Sequence, residues 1–77
     1  MTKSEAIVII GDTYDKAHRL KGVHSFAEDI CRYCEDWLKH LGAYDFDGED
    51  RVPELLVKAA EAEFCKLLDI EPGEKIP

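Results

Sequence analysis

Three cysteines and three histidines are the side chains here with the most distinctive chemistry. Cys31 and Cys34 stand three positions apart, which on a helix puts both on one face. With Cys65 and a histidine such as His40 they make the donor set of a tetrahedral zinc site. Zinc sites of this type usually sit in knuckles or turns, however. Cys31 and Cys34 fall in a segment that reads as a helix needing small apolar residues there, so the expectation is buried thiols and no metal. The acidic stretch 43–54 offers a second candidate. Asp45, Asp47, Gly48 and Glu54 match positions three, five, six and twelve of a calcium loop. Position one would be Ala43, which has no side-chain oxygen, and position eight would be Asp50 where an aliphatic residue usually packs. Calcium is therefore not expected. Nucleophilic catalysis finds no glycine-rich phosphate loop, no nucleophile elbow and no Cys–His pair with a third group to orient it. A chain of 77 residues also has little room to enclose a substrate pocket of on the order of several hundred Å³. The reading is a protein that is not an enzyme and carries no cofactor.

One short motif points elsewhere. Ala17-His18-Arg19-Leu20-Lys21-Gly22 resembles the signature of histidine-containing phosphotransfer domains, Ala-His-x-Leu-Lys-Gly on one helix of a bundle. The resemblance implies His18 as phosphoryl acceptor, Lys21 as the cation beside the phosphate and Gly22 as clearance for the donor. Cys31-x-x-Cys34-Glu35 and a helical hairpin also look like that family. The family carries an aromatic or aliphatic residue and then glycine nine and ten positions after the histidine. Here Phe26 comes at eight and Ala27 stands in place of the glycine. Only 17 residues precede His18, and Gly22 reads as a helix stop. A phosphorelay carrier using His18 and Lys21 is accordingly the alternative reading.

The leading reading starts from aromatics among acids. Tyr33, Trp37, Tyr44 and Phe46 cluster with Asp36, Asp45, Asp47, Glu49 and Asp50, the make-up of a protein-binding hot spot. Trp37 also falls on an apolar stripe and serves a core equally well. The net charge of −7 is uneven. Lys3, Lys16, Arg19 and Lys21 against Glu5, Asp12 and Asp15 leave +1 over residues 1–22, so residues 23–77 carry −8. Such a field repels nucleic acid and anionic lipid and favours a basic partner. We therefore expect an acidic protein-binding module, an inhibitor or adaptor that engages a basic surface. That surface could be a groove that normally holds nucleic acid, as small inhibitors from mobile elements do. The expected binding set is Asp45, Asp47, Glu49, Asp50, Tyr44, Phe46 and Trp37.

These residues need helices to hold them. Thr2-Lys3-Ser4-Glu5 is a capping box, followed by apolar residues at Ile7, Ile10, Tyr14, Ala17 and Leu20 and a left-handed stop at Gly22. The run Ile7–Ile10 is β-branched and would also suit a buried strand, but no second strand of that kind follows. A second capping box, Ser25-Phe26-Ala27-Glu28, opens a stripe of Phe26, Ile30, Cys34, Trp37 and Leu41 that Gly42 ends. Pro53 suits the first turn of a third helix carrying Leu55, Leu56, Ala59, Ala60, Phe64, Leu67 and Leu68, which ends near Asp69 or Ile70. The fold class expected is all-α, a small three-helix bundle built on an antiparallel helical hairpin. The second and third helices would form the hairpin, with the first packed across it. Residues 1–70 make a single domain, and 71–77 form a tail docked at most through Ile76.

A domain of this size buries only about 60% of the surface its unfolded chain exposes, so a partner or second copy would add stability. The all-round apolar run Ile7–Ile10 suggests a homodimer in which helix one of each copy closes the other's core. The odd thiol count, with no leader or spanning segment, places the chain in a reducing cytoplasm.

Overall fold

A computed structural model describes residues 1–43 and 52–73 as three α-helices: α1 (Lys3–Arg19), α2 (Ala27–Ala43) and α3 (Glu54–Leu67). No strand occurs among the described residues. Ile7–Ile10 is helical. The Thr2 side chain accepts from Glu5 N at 3.1 Å, the first bond of the expected capping box, and Glu5 Oε1 reaches back to the Thr2 hydroxyl at 3.0 Å rather than to its backbone N–H. Burial of Ala6 and Ile10 then outweighs the poor helix propensity of the β-branched run.

The bundle is centred on α1, which packs along α2 and also against α3, while α2 and α3 touch only lightly. Its antiparallel hairpin is thus α1–α2, closed by a short turn, rather than α2–α3. Gly22 lies in that turn at φ +83°, a conformation that favours glycine. Two ties fix the direction of α3. At one end Met1 and Val52 exchange backbone hydrogen bonds, the Met1 ammonium donating to Val52 O at 2.8 Å and Val52 N to Met1 O at 3.1 Å. At the other end His24 Nε2 lies 2.9 Å from Asp69 Oδ2. The helix α3 therefore runs parallel to α1 and antiparallel to α2.

The core face of α1 is Ala6, Ile10, Thr13 and Ala17, at helical spacing. Opposite it stand Ala27, Ile30, Cys31, Cys34 and Leu41 of α2 and Val57, Phe64, Cys65 and Leu68 from α3 and its cap. Thr13 is buried and its hydroxyl donates to Ile9 O at 3.0 Å, so it adds no orphaned polar atom. Lys16 is also buried along its stem, with its ammonium 3.2 Å from Asp12 one turn back.

Three sequence expectations are corrected at helix ends. The group capping α2 is His24 rather than Ser25: Phe26 N donates to His24 Nδ1 at 3.2 Å, and Ala27 N to His24 O. Phe26 then precedes the helix and is 48% exposed instead of in the core. Gly42 does not end α2, which continues through Ala43. Pro53 is the N-cap of α3 and not its first residue, accepting from Leu56 N and Val57 N. The end of α3 is a Schellman motif: Ile70 N donates to Cys65 O and Asp69 N to Lys66 O. Its left-handed position holds Asp69, at φ +59°.

Candidate protein-binding groove

Because α2 and α3 splay apart on either side of α1, an open groove of about 680 Å³ runs between them. The α2 wall is Tyr33, Asp36, Trp37 and His40, and the α3 wall is Leu56, Glu63, Phe64 and Leu67. Each wall is one stripe of a helix. Residues 33, 36, 37 and 40 share one face of α2, and 56, 63, 64 and 67 share one face of α3. Tyr33 and Phe64 stack across the gap, with centroids 6.0 Å apart and planes 14° off parallel. Tyr33 remains 51% exposed and Leu56 57% exposed, so the groove presents large apolar groups to solvent. Its charged lining is Asp36 and Glu63; no lysine or arginine lines it among the described residues.

His24 links the two helices that carry the walls. Phe26 N–H is a donor, so the His24 Nδ1 that receives it is unprotonated and the ring proton sits on Nε2. That proton is donated to Asp69 Oδ2. A single imidazole thus caps the start of α2 and holds the end of α3, tying the two walls together.

Of the expected binding set, only Trp37 is described, and it lies partly buried in the groove wall with one side against the core. Tyr44, Asp45, Phe46, Asp47, Glu49 and Asp50 lie outside the described residues, as does most of the candidate calcium loop. The sequence reading missed the α3 wall by assigning Leu56 and Leu67 to the core. The signal was present: apolar residues at 55, 56, 59, 60, 64, 67 and 68 cover more of the helix circumference than one neighbour can bury. Leu55 and Ala59 are likewise exposed, Leu55 at 87%.

Cys31, Cys34 and Cys65 are buried and form no disulfide with one another. Burial pushes the Cys34 thiol up to about 12, with Cys31, Cys65 and Glu35 adding to the rise. Cys31 is raised by burial, against which the nearby Lys21 charge works, and Glu35 and Glu28 raise it further. Protonated, desolvated thiols are poor nucleophiles and poor metal ligands. No group of three or more His, Cys, Asp or Glu among the described residues is placed to hold a metal ion.

His18 is exposed near the end of α1, its ring stacked on Tyr14 at 6.1 Å. The helix stops at Arg19 and Lys21 lies in the turn beyond, its backbone N donating to His18 O at 3.3 Å. Among the described residues no helix is long and apolar enough to cross a membrane. Comparison with family models, with curated proteins and with solved structures finds no match for this chain.

Proposed function

We propose that this chain is a protein-binding module, an inhibitor or adaptor, that takes a basic amphipathic helix of a partner protein into the groove between α2 and α3. The observation that carries this reading is the groove's make-up: exposed apolar walls, a carboxylate on each wall and no lysine or arginine among the described residues. An apolar groove with that rim is complementary to a helix with an apolar face flanked by lysine or arginine. A helical occupant suits the walls, since their side chains recur at three and four positions and interdigitate with ridges of the same spacing. No strand edge is offered among the described residues, so pairing with an extended segment through backbone bonds has no template. Leu56 to Leu67 spans about 16 Å at 1.5 Å per residue, room for roughly three turns. The −8 carried by residues 23–77 adds a field of the right sign, and Asp45, Asp47, Glu49 and Asp50 belong to the segment joining the two walls.

The test is capture of partners from a nuclease-treated lysate by wild type and by Leu56→Lys and Glu63→Lys, both at exposed positions. A discrete protein held by wild type at low salt, released at high salt and lost in both variants supports the groove. A protein held equally by the variants refutes it.

The exposure of His18 motivates a second reading, the phosphorelay carrier. It requires an acid-labile phosphate on the wild type, absent from His18→Gln, after incubation with phosphorylated receiver domains. No transfer from a panel of receivers removes that reading.

A further inference from the structure

The side of α1 turned away from the core presents Ser4, Ile7, Val8, Gly11 and Asp15. Val8 is 69% exposed and Ile7 37%, although both are large and apolar. Beside them is Gly11, in the helix interior, where a Cβ would meet nothing within 4 Å. Glycine weakens a helix interior, and no contact among the described residues requires it there. A notch at Gly11 beside a protruding Val8 is the shape of a contact with another helix.

Charge distribution selects the occupant. Residues 1–22 sum to +1 and residues 23–77 to −8, so two copies meeting through α2 or α3 would oppose acidic surfaces. The α1 face is where two copies approach without that repulsion. We infer that a second copy of this chain packs here, the two α1 helices antiparallel about a two-fold axis, with Val8 of each seated over Gly11 of the other. The pattern is self-complementary, as a two-fold contact demands. In the register that pairs 8 with 11, Ser4 falls opposite Asp15, a hydroxyl donor facing a carboxylate. A shallow hollow of about 370 Å³ along Ser4, Glu5, Val8 and Ile9 gives room for side chains of the second copy. Since each α1 fills its own core, the pairing is side by side and not an exchange of helices. The inference is independent of the groove between α2 and α3, which it leaves open in both copies.

Sedimentation equilibrium of the full chain, from low to high micromolar, tests it alongside Val8→Lys and Gly11→Leu. The result expected is a concentration-dependent dimer for wild type and a monomer for both variants, with helical circular dichroism retained. Gly11→Leu should also melt higher than wild type in dilute solution, because it removes an interior glycine at an open position, while forming no dimer. A wild-type chain that stays monomeric throughout overturns the inference, and so does a dimer that persists in both variants.

Discussion

Replacing Asp69 by glycine should be nearly neutral and by alanine destabilising, and the difference can be worked from the geometry. Asp69 sits at φ +59° in the left-handed position that ends α3. A non-glycine residue there costs roughly 1–2 kcal/mol, with aspartate at the low end. Against that cost stands the bond from His24 Nε2 at 2.9 Å. The Asp69 side chain is 84% exposed, so solvent screening limits this bond to about 0.5–1 kcal/mol. Asp69→Gly loses the bond and relieves the strain, for a net change within about 0.5 kcal/mol of zero. Asp69→Ala loses the bond and keeps the strain without a polar side chain to ease it, for a loss of about 1–2 kcal/mol. The gap between them, about 1 kcal/mol, corresponds to roughly 4–8 °C in a domain of this size. His24→Ala forfeits the cap at Phe26 N as well, about 0.5–2 kcal/mol. The double variant with Asp69→Ala should show a coupling of about 0.5–1 kcal/mol. Urea unfolding followed by circular dichroism reads wild type and all four variants. If alanine at 69 is as stable as glycine, the left-handed cap is wrong; if the cycle shows no coupling, His24 does not bridge α2 and α3.

Ile10→Ala should cost about 2–5 kcal/mol, since Ile10 is wholly buried between α1 and its neighbours, whereas Leu55→Ala should be near neutral at 87% exposure. Chemical unfolding distinguishes the two, and equal losses would contradict the orientation assigned to α3. The raised Cys34 thiol sets an alkaline limit. A thiol whose folded pKa lies above its unfolded value holds its proton more tightly when folded, so its contribution is complete below about pH 9 and is lost as pH rises toward 12. The urea midpoint of wild type should fall with pH above about 9 more steeply than that of Cys34→Ala, compared as slopes; parallel slopes would argue that Cys34 is not desolvated.

The helices were legible where local chemistry decides them. Thr2 and Glu5 announce the start of α1, and Ile30, Cys34 and Leu41 mark the buried stripe of α2. Less legible was which pair of helices forms the closest contact, because the three apolar stripes do not say which is central. Small Ala6, Ala17 and Ala27, all fully buried, let α1 approach closely, and that property of matched surfaces is invisible in any one stripe. His24 was unreadable as a bridge between α2 and α3 because its second partner is Asp69, 45 residues away. The groove was half visible. Tyr33, Asp36 and Trp37 were picked out as aromatics among acids, while Leu56, Phe64 and Leu67 passed for core, since apolar side chains that line a groove look like apolar side chains that fill one.

Trp37 is the single tryptophan of the chain and stands in the groove wall, so its emission reports occupancy directly. The most direct measurement is a fluorescence titration of the full chain with a synthetic amphipathic helix bearing an apolar face between lysine rims, alongside the same peptide with its lysines changed to glutamate. The groove account predicts a saturable change in Trp37 emission with the basic peptide, weakened by salt and lost in Leu56→Lys, and none with the acidic one. An unchanged emission with the basic peptide, or an equal response to both, would contradict it.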